Sequence, residues 1–439
     1  MIDCGLFQER QYKTRNWRKS PIPLETIDAL VLTHAHIDHC GLIPRAVREG
    51  LASPLLMTTP TADLVELMWR DAAHIQAEDA AYKKKRHRRE GRSGRFPAEP
   101  LFDGRDVDQT LPWVRPEAYN TPVKISEDVT VTFHEAGHIL GSAMLEFEVR
   151  QRGESLRIIF SGDIGQWERP LIHDPTLFSA ADYIVMESTY GDRDHAEGGD
   201  IEDQLARIVN TTVEAGGKVI IPTFAVERAQ ELMYYISRLV HENRIPDIPV
   251  YLDSPMAVDV TKIFRRHRDR FDDETWDYIN QGESPLQFPG LQISRSTAQS
   301  KAINARTEPS IVMSTSGMCT AGRIKHHLRQ NISRTESTIL FVGYQGHGTL
   351  GRQILGGRPE VRIHGRNCPV KANIAQIYGF SGHADRRALL RWVKHFGKAP
   401  RRLFLTHGDE DAALSLANHI RTDLDWRVLV PDYESTVDL

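Results

Sequence analysis

The stretch Thr33-His34-Ala35-His36-Ile37-Asp38-His39 constrains this chain more than any other, because it crowds three imidazoles and a carboxylate into one short turn. The apolar run Ala29-Leu30-Val31-Leu32 ahead of it reads as a buried strand, and Gly41-Leu42-Ile43-Pro44-Arg45-Ala46-Val47 after it reads as the start of a helix. The polar residues therefore sit on a strand-to-helix turn. Side chains two apart in extended backbone point the same way, so His34 and His36 can grip one ion while Asp38 and His39 turn to a second position. The plain alternative is a chance cluster of solvated histidines, but imidazole crowded against carboxylate without a cation gains little.

Similar groups recur after other predicted strands. Val129-Thr130-Val131-Thr132-Phe133-His134 alternates as a half-buried strand does and delivers Glu135-Ala136-Gly137-His138, with Gly137 and Gly141 giving His138 a close backbone environment. The run Leu156 to Phe160 ends in Ser161-Gly162-Asp163, Tyr183 to Met186 ends in Glu187, and Leu403 to Leu405 ends in Thr406-His407. One such residue after a strand is ordinarily a surface or capping group. Repetition at strand end after strand end makes a pattern, since rigid strands let a sheet protein gather distant residues along one rim.

At 439 residues the chain exceeds one ordinary core, and two domains are expected. Its 55 basic and 59 acidic residues leave a formal charge of −4, so a nucleic-acid partner must be met by a local patch. The densest charged tract, Lys83-Lys84-Lys85-Arg86-His87-Arg88-Arg89 with Arg92 and Arg95 beyond, reads either as a solvated helix face or as a sequence-independent phosphate contact. Cys4, Cys40, Cys319 and Cys368 show no paired spacing, which argues against a disulfide framework or zinc ribbon and fits a reducing cytoplasm. No long apolar segment or signal-like N-terminus occurs, so a soluble, cytoplasmic protein without a membrane partner is expected.

Between Asp194 and Asn373 the pattern becomes an α/β alternation. Helical periodicity over 201–215 precedes the apolar run at Lys218–Pro222 and that over 227–240 precedes the run at Pro249–Leu252, and further runs follow at Ser310–Met313 and Thr338–Val342. This predicts a parallel sheet with crossover helices, and the polar stretch Glu283–Thr297 reads as a surface loop. The turns Ser314-Thr315-Ser316-Gly317-Met318 and Gly343 to Arg352 can offer backbone N–H groups to a phosphate, although tight turns with positive φ explain them equally well.

Taken together, these residues resemble the β-CASP branch of the metallo-β-lactamase superfamily, and within it the bacterial RNA-cleaving enzymes related to the eukaryotic pre-mRNA cleavage endonuclease. Asp3, the His34-x-His36-x-Asp38-His39 stretch, His138 and Asp163 match the superfamily motifs in order. Glu187, His383 within Phe380-Ser381-Gly382-His383-Ala384-Asp385, and His407 match the β-CASP motifs A, B and C. The resemblance implies an α/β (α+β) architecture: a four-layer αββα metallo-β-lactamase fold built from residues 1–193 and 374–439, with a parallel-sheet β-CASP domain, residues 194–373, inserted. It also implies two zinc ions per chain, one held by His34, His36, His138 and Asp163 and the other by Asp38, His39, Asp163 and His407. Asp163 would bridge them, and Asp3 would orient a ligand imidazole. Family members usually begin with a strand hairpin ahead of the first aspartate. This chain starts almost at Asp3, so those strands read as missing and a hydrophobic sheet edge as uncovered.

The function so implied is a zinc-dependent ribonuclease hydrolysing phosphodiester bonds of single-stranded RNA, as an endonuclease, a 5′-exonuclease or both. A hydroxide shared by the ions would attack in line, with Asp38 and Asp163 as catalytic carboxylates, His383 as general acid and Glu187 holding its proton. Ser316, Arg352 and Ser381 are the expected phosphate contacts, in a cleft between the domains, and a homodimer is compatible with all of this. Two other readings compete. An ester or thioester hydrolase can use the same metal motif, but the long insert and the motif around His383 speak against it. For a catalytically weak or inactive RNA-binding paralogue, the intact ligand set argues against and the missing N-terminal strands argue in favour.

Overall fold

Period-two alternation along the longest strands decides which sheet faces are covered and, through that, where the strand ends lie. The computed structural model describes all residues except 10, 92–95, 152 and 196–198. The chain forms two compact units, one of Met1–Glu168, Asp174–Asp194 and His383–Leu439, the other of Arg169–His173 and His195–Gly382.

The first unit contains a seven-stranded sheet in the order Val428–Leu429, Arg402–Thr406, Tyr183–Glu187, Glu154–Phe160, Ala143–Gln151, Val129–Glu135, Val123–Lys124. On one face Val131, Phe133, Leu145, Phe147, Leu156 and Ile158 pack with Val31 and Leu56 from a three-stranded parallel sheet, Leu30–Val31, Leu55–Thr58 and Val114–Glu117. Residues one step along, Met144, Ile159, Ile184 and Met186, face the other way. They meet Leu389, Trp392 and Val393 of helix Arg386–Lys394 and Leu416 and Ile420 of helix Glu410–Leu424. The helix Thr59–Glu90 lies along the three-stranded sheet and buries Leu64, Val65 and Trp69. Four layers result, helix, sheet, sheet, helix, because each sheet has two apolar faces to cover. Ile2 bridges to Val31 and the Asp3 N–H donates to the Val31 carbonyl at 3.1 Å, which brings Asp3 to the end of the smaller sheet.

Trp392 anchors the outer core. It is fully buried, donates its indole N–H to the Thr176 carbonyl at 2.9 Å, and makes edge contacts with Phe178 and Phe396. Trp392→Ala is expected to destabilise this unit by about 3–5 kcal/mol, through lost burial and the cavity left behind. The shift of the denaturant midpoint of the full chain, at fixed zinc concentration, measures it.

The basic tract closes the helix Thr59–Glu90, with Lys83, Lys84, Lys85, Arg88 and Arg89 exposed and Gly91 ending the helix at φ 60°. Cations in the last turn face its unpaired carbonyls, so the tract lies where the helix dipole favours it. Arg92 and Arg95 lie outside the described residues. No helix among the described residues is long and apolar enough to cross a membrane.

The second unit is built on a six-stranded, wholly parallel sheet in the order Leu291–Ile293, Val250–Leu252, Ser310–Ser314, Lys218–Pro222, Thr338–Phe341, Asn373–Gln376. Its central strands read as unbroken apolar runs because helices cover both faces. The stretch Glu283–Thr297, expected to be loop, contains the edge strand Leu291–Ile293. Gln292 and Ile293 are exposed, so this strand carries no burial pattern of its own and exists by pairing with Val250–Leu252. At the opposite edge Asn373–Gln376 pairs with Thr338–Phe341 and ties the returning chain into this sheet.

Candidate metal centre

Apart from His383, which lies just ahead of the helix Arg386–Lys394, the motif residues of the first unit come from the end of a strand or the turn just after it. His34 follows Leu30–Val31, and His36 is the extended N-cap of the one-turn helix Ile37–Cys40, which carries Asp38 and His39. His138 lies in the turn between Val129–Glu135 and Ala143–Gln151, where the Ser142 hydroxyl accepts the N–H groups of His138 and Ile139 at 3.1 and 3.2 Å. Asp163 follows Glu154–Phe160, Glu187 ends Tyr183–Glu187, and His407 follows Arg402–Thr406.

These side chains converge in three groups, two of which share Asp163, each with its ligand atoms within 4.8 Å of one another: His34, His36, His138 and Asp163; Asp38, His39 and His407; and Asp163, Glu187 and His383. In the first, His36 Nδ1 lies 3.0 Å from His34 Nε2 and 3.1 Å from His138 Nε2, with Asp163 Oδ2 at 3.4 and 3.5 Å from those two Nε2 atoms. In the second, His39 Nε2 and His407 Nε2 are 3.1 Å apart, and Asp38 Oδ2 is 4.0 Å from the latter. Asp163 Oδ1 lies 3.3 Å from both His39 Nε2 and His407 Nδ1. The two oxygens of Asp163 thus face different clusters. His383 Nδ1 contacts both Glu187 oxygens, at 3.2 and 3.3 Å, and is 3.8 Å from Asp163 Oδ2.

The donor chemistry fits metal ions. Three ring nitrogens facing one point share too few protons to satisfy one another, and among the described residues buried Asp163 Oδ1 has no hydrogen-bond partner. Burial, then the charge of His39, pushes His34 well below the ordinary imidazole value, and burial takes His36 down to about 4. Both are therefore neutral near pH 7, with lone pairs to give. Burial would raise the Asp163 carboxyl, but His407, His39 and His34 hold it well below the carboxylate range. His39 is buried too, yet Asp163 and Asp3 lift it well above the imidazole value. Its Nδ1 pairs with Asp3 Oδ2 at 2.7 Å, which directs Nε2 to the second cluster.

Several supporting groups were not legible beforehand. Thr33 donates its N–H and its hydroxyl to the two oxygens of Asp3, each at 2.8 Å, and Gln166 donates to the His383 carbonyl at 2.9 Å. Two glycines permit close backbone approach. A Cβ on Gly5 would lie 1.4 Å from the Asp38 carbonyl oxygen, and one on Gly165 would lie 1.6 Å from that of Gly137. No motif announces either contact. The three expected phosphate contacts, Ser316, Arg352 and Ser381, belong to the second unit. The Ser316 hydroxyl accepts the N–H groups of Thr320 and Ala321 at 3.1 and 3.3 Å, and Arg352 is exposed on helix Leu350–Leu355.

Comparison with known proteins follows the same division. Residues 1–184 match the metallo-beta-lactamase superfamily, 229–354 the Beta-Casp domain, and 367–431 the Zn-dependent metallo-hydrolase RNA specificity domain. Ribonuclease TTHA0252 of Thermus thermophilus is 37% identical over 416 residues, covering 95% of this chain and 89% of that protein. Transcription termination factor FttA of Methanosarcina mazei is 32% identical over 433 residues, 96% of this chain and 64% of the factor. For FttA of Methanocaldococcus jannaschii the figures are 32% over 443 residues, 98% and 66%. The chain thus spans a little under two thirds of those factors and most of the ribonuclease. With the domain series, the ligand clusters and near-full-length likeness in agreement, the chain belongs to the β-CASP ribonuclease family of the metallo-β-lactamase superfamily.

Proposed function

We propose that this chain is a two-zinc ribonuclease acting on single-stranded RNA, working in a reducing compartment such as the cytoplasm. The observation that carries the reading is Asp163, whose oxygens face separate sets of imidazoles. His34, His36 and His138 would hold one ion with Asp163 Oδ2, and Asp38, His39 and His407 the other with Oδ1. When bound, such a pair supplies an activated water at neutral pH and neutralises charge on a phosphate. Asp3, locked by Thr33, orients His39 and acts only through it. His383 supplies a proton to the departing ribose oxygen, and Glu187 keeps that proton on the imidazole. Ser316, Ser381 and Arg352 are the proposed phosphate contacts.

The test is direct. The purified full chain, with zinc measured by elemental analysis, is offered end-labelled single-stranded RNA, the same DNA sequence and a thioester. Two zinc per chain and cleavage of RNA alone are expected. Thioester turnover without RNA cleavage, or folded protein with far less than two zinc, would sink the proposal.

Gly165 offers a further check. Its N–H donates to the Ala136 carbonyl at 2.8 Å, and its missing Cβ lets the Asp163 turn press on the Gly137 carbonyl beside His138. Gly165→Ala is expected to separate those two turns and weaken zinc binding by about 10–100-fold, as losing a supporting contact does elsewhere. Competition against a chelating dye measures the change.

A further inference from the structure

The C-terminal edge of the parallel sheet in the second unit carries a row of uncovered aromatic rings. Lys218–Pro222, Thr338–Phe341 and Asn373–Gln376 are neighbouring parallel strands, so the turns that leave them lie along one edge. Those turns present Phe224, Tyr344 and Tyr378, which are 40%, 58% and 47% exposed. Among the described residues none of the three side chains makes a hydrogen bond or ring contact. Of the other exposed rings, Tyr12 and Tyr433 both lie against the Arg15 guanidinium, at 4.1 and 3.6 Å, and Tyr82, which has no such contact among the described residues, sits singly on the helix Thr59–Glu90 and not in a row. An exposed aromatic side chain without a partner leaves apolar area in water, and three on successive strands point to a ligand with flat faces.

The row is also stiff. A Cβ on Gly317 would meet the Phe224 ring at 2.8 Å and one on Gly343 would lie 3.7 Å from it, so the ring rests on backbone of one adjoining turn and beside another. The buried Gln345 side chain donates to the carbonyls of Gly317 and Gly343 at 3.0 and 3.3 Å, tying the Tyr344 turn to the turn after Ser310–Ser314. Arg352, eight residues after Tyr344 in sequence, is exposed and forms no ion pair among the described residues. Neighbouring strands are about 4.8 Å apart, so the turns repeat at a step an extended strand of nucleotides can follow with successive bases. Rings for bases and an unpaired cation for a phosphate form the usual composition of a single-strand platform.

The geometry points to Phe224, Tyr344 and Tyr378 as a stacking platform for unpaired bases of RNA, with Arg352 on the backbone between them. This rests on RNA being the substrate and adds why it is taken as a single strand. Bases paired in an A-form duplex keep their faces inside the stack, where these rings cannot reach them.

Binding by the zinc-loaded full chain is measured by fluorescence anisotropy with three probes: a phosphorothioate single-stranded oligoribonucleotide, which resists hydrolysis, the same backbone carrying abasic sites, and the duplex. Truncating a ring by Phe224→Ala, Tyr344→Ala or Tyr378→Ala is expected to weaken single-strand binding about 5- to 100-fold each. The abasic probe should change by less than about twofold, and Tyr344→Trp should keep parental affinity because stacking tolerates any aromatic ring. Parental affinity in all three alanine variants, or equal losses on the base-bearing and abasic probes, would overturn the platform. Cleavage of unmodified RNA in the same samples separates this from the activity. A parent that binds the single strand with these losses but cleaves nothing would sink the ribonuclease and leave the platform standing. A cleaving parent with unaffected variants would do the reverse, and a parent that binds no RNA would end both.

Discussion

Asp163→Ala is expected to abolish zinc binding and RNA cleavage together. Asp163 is 3% exposed, and its Oδ2 faces His34 and His138 while its Oδ1 faces His39 and His407. Among the described residues no other carboxylate touches both clusters, since Asp38 belongs to the second and Glu187 contacts His383. Without the bridge each proposed ion loses an anionic ligand, and the imidazoles left behind repel one another as they take up protons. Metal activation contributes several kcal/mol to a hydrolysis of this kind, so a loss of at least about 10³-fold in rate is expected. Asp163→Asn, which keeps the shape and removes the charge, should fail alike. Elemental analysis alongside the cleavage assay reads both quantities, and a variant holding two zinc at the parental rate would remove Asp163 from the centre.

His383→Ala is expected to separate those two properties: zinc stays and cleavage falls by about 10²–10⁴-fold, the usual contribution of a general acid. Burial by itself would push the His383 imidazole down. The carboxylates of Glu187 and Asp163 more than reverse this and hold it up at about 9. A group that must give a proton is then charged below that value and loses its function above it, so at neutral pH the acid form is the one present. In the proposed reaction the proton would go to the 3′-oxygen of the departing ribose, and the products would carry 5′-phosphate and 3′-hydroxyl ends. Replacing that bridging oxygen by sulfur gives a leaving group that departs without a proton. The variant should therefore recover most of the lost rate on the sulfur-bridged RNA, whereas a merely structural defect would persist. Loss of zinc in the variant would instead make His383 a ligand.

The candidate site residues were legible because each is coupled to its neighbours in the chain. His34, His36, Asp38 and His39 fall within one turn, and Asp163, Glu187 and His407 each terminate an apolar run, so spacing and strand periodicity expose them without any knowledge of the fold. The same periodicity marked Leu30–Val31, Val129–Glu135, Glu154–Phe160, Tyr183–Glu187 and Arg402–Thr406 and the four central strands of the parallel sheet, while Leu55–Thr58 and Ala143–Gln151 went unread. It failed at Leu291–Ile293, because an exposed edge strand has no alternating burial to betray it. Asn373–Gln376 was invisible for a related reason, since its identity as a strand comes from the backbone of Thr338–Phe341.

Within the centre the division runs along the same line. That histidines and carboxylates would meet at strand ends followed from local pattern. That His36 presents Nδ1 while His34 and His138 present Nε2, that one oxygen of Asp163 faces each cluster, and that Thr33 secures Asp3 were decided in three dimensions. The close approaches at Gly5 and Gly165, and the uncovered row Phe224, Tyr344 and Tyr378, belong to that second group as well. Sequence by itself determined which residues terminate strands, because side-chain alternation is a property of covalent backbone geometry. Which strand ends become neighbours depends on sheet order and on the helices that cover each face, and those are settled only when segments hundreds of residues apart bury apolar surface against one another.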